Sequence, residues 1–255
     1  MLICLLFLFY LDEIGWNLTI KDNTPLRKVD LHIHTPRSFC YSDKTVTAGQ
    51  IVEAALAKKL DAIAVTDHNT FEGVESIRCT AQGKGLVVFP GVELSTKSGH
   101  FLALFEANKP LAELREVLAE SGIKPANWGD ATVFTEGTAE TVFRSVVAHG
   151  GLVIAAHIER WPSGFLETKS TKKEKMAIHN NPDVSALEIT VAQDKDNWNK
   201  GEQRGFQRKH SCIQSSDAHS PAEIGRRPVF IRMEEISLAA LREAFLDFED
   251  SIVFP

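Results

Sequence analysis

Residues 29–69 read VDLHIHTPRSFCYSDKTVTAGQIVEAALAKKLDAIAVTDHN, one strand–helix–strand unit with polar residues gathered at both strand ends. Lys28–Ile33 is expected as the first strand. Thr47–Leu60 follows as a helix, because Ile51 and Ala55, and Val52 and Leu56, fall at i, i+4 spacing. Ala62–Thr66 (AIAVT) is a short apolar strand. Alternate strand residues share a face, so Asp30, His32 and His34 are expected on one side, where two imidazoles one residue apart can grip a single metal ion. The second strand ends Thr66-Asp67-His68-Asn69.

The same rhythm continues outward. Phe71–Lys84 has a helical pattern, and Leu86–Val92 and Phe101–Phe105 are expected strands. Pro110–Ser121 is a helix with proline at its start and Gly122 beyond its end. Ala139–His149 is a helix closed by Gly150 and Gly151, and Leu152–Ala156 is the next strand. Lys172–His179 is helical, Ala186–Thr190, Cys212–Ser215 and Val229–Ile231 are strands, and Ser237 caps a last helix to Phe248. Near-continuous apolar strands alternating with helices predict a parallel sheet covered by helices. Roughly seven such strands predict an α/β barrel, closed or nearly so, with a doubly wound open sheet as the alternative. The long connections 122–137 and 159–175 are expected to carry function.

A chain of 255 residues suits one such domain, taken as 28–255, with 1–27 as an N-terminal extension. The extension opens MLICLLFLFYL, too short to span a bilayer and without the basic start and cleavage site of an export signal. It is expected to pack as a strand or short helix against the barrel or a second subunit. With 28 basic and 34 acidic residues the net charge is −6, which argues against a broad basic face for non-specific nucleic-acid binding. Cys4, Cys40, Cys79 and Cys212 form no C-x-x-C pair, so a reduced, cytoplasmic protein away from the membrane is expected. Cys40 lies close to the first motif and has two readings, a thiol that faces the site or, the favoured one, an ordinary buried or half-exposed thiol.

Nearly every strand delivers a histidine or carboxylate at its end. After His32, His34 and His68 come Glu93 in GVELS, His100 after Gly99, His157 in AAH, and Asp217 and His219 in SSDAH. In parallel α/β barrels the site forms at the C-terminal ends of the strands. Any one of these residues is most simply an ordinary hydrogen-bonded side chain. Together they would be costly to bury without a compensating cation, and imidazole with carboxylate suits zinc, manganese or iron.

The strings DLHIHT, TDHN, GVELS, AH and SDAH resemble the PHP (polymerase and histidinol phosphatase) family of metal-dependent phosphoesterases, from about Val29 to the chain end. The resemblance implies a distorted barrel of seven β/α units and two to three divalent metals (Zn, Mn or Fe). It implies that His32, His34, Glu93 and Asp217 hold a first metal, and that Glu93 bridges to a second bound by His100 and His157. A third would take Asp43, His68 and His219, with Asp43 matched across a lengthened loop, Pro36–Tyr41. Asp67 is expected to orient a liganding imidazole or to act as general acid, and Asp30 to orient or to be structural. HTPRSFCYSD, TDHNTFEGVE, VFPGVELST and QSSDAHSPAEIGRRP are similar to PHP domains that precede an AAA-like ATPase, which implies an ATPase partner. The chain has no G-x-x-x-x-G-K-[ST] run and so no P-loop of its own.

The resemblance implies hydrolysis of a phosphate ester, a small phosphomonoester, nucleotide or short oligonucleotide, by a water that the metals activate. Arg160 and Arg226 are the favoured phosphate contacts, ahead of Arg37 and Arg227, by bidentate pairing. Trp161 and Phe165 have the chemistry to stack on a base. His149, His179 and His210 fit no strand-end motif, and the run Lys169–Lys175 is a solvated helix start. The rival readings are a nuclease, an amidohydrolase-type deaminase, which commonly needs a strand-end lysine not found here, and a non-catalytic module of an ATPase-linked system.

Overall fold

A computed structural model describes residues 23–255. Met1–Leu11, and the extension as far as residue 22, lie outside the described residues. The first strand begins slightly before the expected Lys28, because Leu26 already pairs with Arg232. The elements run β1 (Leu26–Ile33), α1 (Ala48–Ala57), β2 (Ala62–Val65), α2 (Val74–Ala81), β3 (Val87–Thr96), β4 (Gly99–Leu104), α3 (Leu111–Glu120), α4 (Ala139–Ala148), β5 (Leu152–Ala155), α5 (Lys172–Asn180), β6 (Val184–Glu188), α6 (Lys195–Lys200), β7 (Cys212–Ile213), β8 (Val229–Arg232), α7 (Leu238–Leu246), α8 (Phe248–Ser251) and β9 (Ile252–Val253). Local chemistry sets the helix starts. Thr47 with Gln50 and Thr171 with Glu174 form reciprocal capping boxes ahead of α1 and α5.

The strands form one sheet in the order β7-β6-β5-β4-β3-β2-β1-β8-β9. Beyond β7 the chain returns to β1 through a parallel bridge between Ile33 and Ala218, where His34 N–H donates to the Ala218 carbonyl at 2.9 Å. The sheet is therefore a nearly closed, distorted TIM-like barrel of seven strands, β1 to β7, as expected. It is not all-parallel as the strand–helix alternation predicted. β4 runs antiparallel to both β3 and β5, and β8 runs antiparallel to β1. Only Lys97 and Ser98 separate β3 from β4, too few for a crossover, so the chain must fold back as a hairpin. That reversal puts the start of β4 at the same mouth as the end of β3, and brings His100 there.

The apolar core lies in two layers. Ile63, Val65, Val88, Val92, Phe101, Val153 and Leu187 pack outward against Ile51, Val74, Leu114, Val142 and Ile178 of the helices. Val29, Leu31, Ala62, Ala64, Phe89, Leu102, Leu104, Ile154, Ala186 and Ile213 fill the barrel, together with Leu238, Leu241 and Phe245 of α7. Helix α7 thus plugs one mouth. The strand residues that continue the inward alternation, His68, Glu93, His100, Glu188 and Asp217, surround the other. Strand β1 departs from simple alternation. Its register shifts between Asp30 and Ile33, so that Leu31 joins the barrel filling while Ile33 joins the outer layer. His32 and His34 still share a face, but Asp30 is separated from them. Among the described residues no helix is long and apolar enough to cross a membrane.

Candidate metal centre

At the open mouth, four atoms from three strands converge. His32 Nε2 lies 3.2 Å from His34 Nε2, 3.1 Å from Glu93 Oε2 and 3.3 Å from Asp217 Oδ1. His34 Nε2 lies 3.2 Å from Glu93 Oε2 and 3.1 Å from Asp217 Oδ1. A regular tetrahedron with such edges has its centre roughly 2.0 Å from each corner, the usual zinc–nitrogen and zinc–oxygen distance. The residues present therefore fit a divalent ion. All four side chains are essentially excluded from solvent.

The surrounding hydrogen bonds fix which nitrogen of each ring carries the proton. His32 Nδ1 stands 2.9 Å from Glu188 Oε2, an acceptor when ionised, so Nδ1 donates and Nε2 keeps its lone pair. His34 Nδ1 stands 3.0 Å from Ser38 Oγ. Ser38 Oγ itself donates to Asp67 Oδ1 at 2.7 Å and accepts the His68 N–H at 3.0 Å. Its proton is committed, so His34 Nδ1 donates to it. Two imidazole lone pairs and two carboxylate oxygens then face one another. Without a cation that arrangement draws protons in. Burial opposes charge on His32, but Glu188, Asp217 and Glu93 outweigh it and lift its pKa well above the ordinary value. Burial likewise opposes charge on His34, and hydrogen bonding to Asp217 and Glu93 carries it up to about 9.

Glu93 divides its two oxygens. Oε2 serves His32, His34 and His68, whose Nδ1 is 3.1 Å away. Oε1 faces His100 Nδ1 at 2.8 Å and His157 Nε2 at 2.9 Å. Burial would raise the Glu93 pKa, but His68, His32 and His100 hold it well below the ordinary carboxylate range. Asp217 is also held well below that range, since His32 and His34 outweigh burial. Burial drives His68 the other way, down to about 3. Among the described residues three sets have ligand atoms within 4.8 Å of one another: His32, His34, Glu93 and Asp217; His68, Glu93 and His100; and His34, His68 and His219.

Strain collects here as well. His157 (φ 29°), Asp217 (φ 49°) and Asn69 (φ 50°) adopt left-handed backbone although none is glycine. Such conformations cost about 1–3 kcal/mol each and persist where the surroundings over-determine them. The Asn69 amide donates to the Asp130 and Val133 carbonyls and accepts from Ser95 N–H, tying the loop around residue 130 to the mouth.

The remaining sequence candidates divide. Asp67 is buried behind the cluster, where Oδ1 accepts the Thr35 N–H and Oδ2 the Thr35 hydroxyl, both at 2.7 Å. It steadies His34 through Ser38. Gly73 is required beside it, since a Cβ there would lie 2.2 Å from Asp67 Oδ2. Asp30 accepts backbone N–H groups from Ser216 at 2.9 Å and Gly225 at 2.8 Å, binding β1 to the loop after β7. Asp43 is not brought to the site. Its carboxylate is exposed and taken by Thr45, at 2.9 Å from the N–H and 2.6 Å from the hydroxyl. The lengthened loop instead places Cys40 against His219. Arg160 Nη1 contacts Asp217 Oδ2. Arg226 is directed into its own loop, to the Ser216 carbonyl and Glu223 Oε1, both at 3.0 Å. Trp161 is 76 % exposed, whereas Phe165 is buried and has no face to offer a base. His179 and His210 form a separate buried pair beside Trp198, His210 Nε2 donating to the His179 carbonyl at 2.7 Å. His149 caps α4 through Ser145.

Glu188 is the buried side chain beside the candidate ligands that the sequence reading passed over. It ends the apolar strand β6, which was the signal available, and its Oε2 also accepts the His157 N–H at 3.1 Å.

The sequence matches the PHP domain family over residues 30–162, slightly more than half of the chain. The protein belongs to the PHP domain family. An uncharacterised protein of Methanocaldococcus jannaschii is 28% identical over 137 residues, 51% of this chain and 67% of that protein. Among solved structures, the lesion-specific endonuclease Q of Pyrococcus furiosus superposes with a TM-score of 0.66 at 21% identity, over 87% of this chain and 56% of that one. A two-domain protein of Bacteroides vulgatus containing a predicted PHP-like metal-dependent phosphoesterase gives 0.61 at 19% identity, over 91% and 65%. The chain thus spans less than two thirds of each of those structures, and the likeness to them is one of fold. The mouth of this PHP domain gathers the candidate ligands from the ends of β1, β2, β3, β5 and β7 and from the start of β4.

Proposed function

We propose that this PHP domain hydrolyses phosphate esters at a centre of two to three divalent metal ions, zinc, manganese or iron. The observation that carries the reading is the convergence of His32, His34, Glu93 and Asp217, with Glu93 turning its second oxygen to His100 and His157. Ions bound there would lower the pKa of water and neutralise charge gathering on a phosphoryl group. The chain supplies the rest. The apolar filling of the barrel lies under the ligands and excludes water, which strengthens every charge interaction at the mouth. Glu188 and Asp67 orient His32 and His34. Arg160, 38 % exposed and in contact with Asp217, is placed to turn its guanidinium toward an incoming phosphate. Arg226, engaged with Ser216 and Glu223, would serve by bracing the Asp217 loop.

Within that class, a substrate carrying a nucleobase is favoured by Trp161, which follows Arg160 directly and is 76 % exposed. The fold likeness to an endonuclease supports the same choice, and extends it to a nuclease acting on short single strands. The ATPase partner implied by the motif resemblance remains part of this proposal. The deciding experiment loads purified protein with manganese, iron or zinc and offers an aryl phosphate, nucleoside monophosphates and short single-stranded oligonucleotides. Release of phosphate or cleaved strands, lost in Asp217→Asn and His157→Ala, is the expected result. Metal-loaded protein that turns over none of these esters would end the reading.

A further inference from the structure

Cys40 lies in the loop between β1 and α1, and its Sγ stands 3.1 Å from His219 Nε2. His219 Nδ1 is 3.0 Å from the Asp217 carbonyl, which can only accept, so Nδ1 carries the proton and Nε2 directs its lone pair at the sulfur. His219 also belongs to the cluster with His34 and His68, the His34 and His219 rings stacking at 4.2 Å. An imidazole offers a single lone pair per ring when its other nitrogen is protonated, and that of His34 is committed to the set with His32, Glu93 and Asp217. His68 and His219 are left as two donors in want of others. His68 is more than nine-tenths buried, and with its Nδ1 turned to Glu93 Oε2 at 3.1 Å its other ring nitrogen, Nε2, is left to offer a lone pair. Asp43, the carboxylate expected to join them, is occupied by Thr45.

We infer that Cys40 is a thiolate ligand of a third metal position shared with His68 and His219. The inference rests on the metal-centre reading above. Sulfur and nitrogen bound to one tetrahedral zinc stand roughly 3.6 Å apart, so Cys40 Sγ and His219 Nε2, now 3.1 Å apart, would open by about half an ångström to admit an ion. On binding, the S–H bond breaks, a sulfur–metal bond forms, and the proton leaves to solvent. Three protein donors leave one position open at the mouth, the arrangement of a catalytic rather than a closed structural site. A thiolate among imidazoles also biases this position toward zinc over manganese or magnesium.

The test is anaerobic titration of chelator-stripped protein with cobalt(II). Visible ligand-field bands report occupancy by any ligand set, while a near-ultraviolet sulfur-to-cobalt charge-transfer band reports a thiolate. The wild type is expected to show both. Cys40→Ser is expected to lose the charge-transfer band, keep the ligand-field bands of the histidine–carboxylate positions, and bind its last cobalt equivalent roughly tenfold or more weakly. Cys79→Ser is expected to match the wild type. Ligand-field bands without a charge-transfer band in the wild type, or a charge-transfer band surviving in Cys40→Ser, would overturn the inference and leave the rest of the centre standing. No cobalt bands of either kind would overturn the metal-centre reading and this inference with it. Cys40 is exposed, so the ligand-field bands of the variant also report that it has folded.

Discussion

Glu188 Oε2 lies 2.9 Å from His32 Nδ1 and 3.1 Å from the His157 N–H, so one buried carboxylate sets the tautomer of one candidate ligand and the backbone of another. Partners that orient a liganding imidazole in this way typically matter by 10–100-fold, roughly, in metal affinity. Glu188→Gln keeps an acceptor for His32 but removes the charge that favours its Nδ1 proton. We expect zinc affinity to fall about tenfold in Glu188→Gln, and toward 100-fold in Glu188→Ala, measured by competition with a chromophoric chelator. Unchanged affinity in both variants would show that Glu188 does not act through His32.

The protonation of His34 gives the metal-free protein a pH signature. Its folded pKa of about 9 exceeds the ordinary imidazole value, so the stabilisation is fully present below pH 6.5 and is lost as pH rises through 9. The metal-free protein should therefore lose melting temperature between pH 6.5 and 9. Metal binding must displace these protons, so zinc affinity should rise over the same window. Calorimetry in buffers of different ionisation enthalpy should show at least one proton released per ion at pH 7. Metal uptake without proton release would contradict the assignment of His34 as a ligand.

The candidate ligands were legible because strand alternation and the C-terminal mouth of a barrel are both written in sequence. The pairing of His32 with His34 follows from strand spacing, whereas the places of Asp217 and His219 come from the motif resemblance. What the sequence concealed is long-range. Nothing local announces that Asp30 bonds to Ser216 and Gly225, or that Ala218 closes the barrel on Ile33. The sense of β4 was concealed too, because the apolar runs Leu86–Val92 and Phe101–Phe105 leave eight residues between them, and only the structure extends the strands to the two-residue link at Lys97 and Ser98. Asp43 stays away from the cluster for a local reason, since Thr45 two residues on satisfies its carboxylate within the loop.

Gly99 makes the hairpin that delivers His100. Its φ of 130° lies where only glycine is comfortable, and a Cβ would meet the Phe165 backbone at 2.9 Å. Gly99→Ala is expected to cost on the order of 2 kcal/mol, because both the backbone and the 159–175 connection must shift. Chemical denaturation should show the loss, with a metal equivalent bound more weakly as His100 moves from Glu93. A variant as stable as the wild type would mean that the turn relaxes freely.

Arg160 and Trp161 are adjacent but should fail differently. The guanidinium contacts Asp217, and the indole stands in solvent beside it. Arg160→Ala should slow turnover of every phosphate ester tested, since it removes a charge from the phosphate itself, while metal stoichiometry is unchanged. Trp161→Ala removes only a stacking face, worth about 1–3 kcal/mol per base, so KM for a nucleotide or oligonucleotide should rise by roughly tenfold or more. An aryl phosphate too small to reach the indole should be hydrolysed as before. Steady-state kinetics of the two variants on the two substrates separates the roles. If Trp161→Ala left nucleotide and aryl phosphate equally unaffected, base recognition would have to be sought elsewhere on the mouth, with exposed Phe39, on the Cys40 loop, the next aromatic to remove.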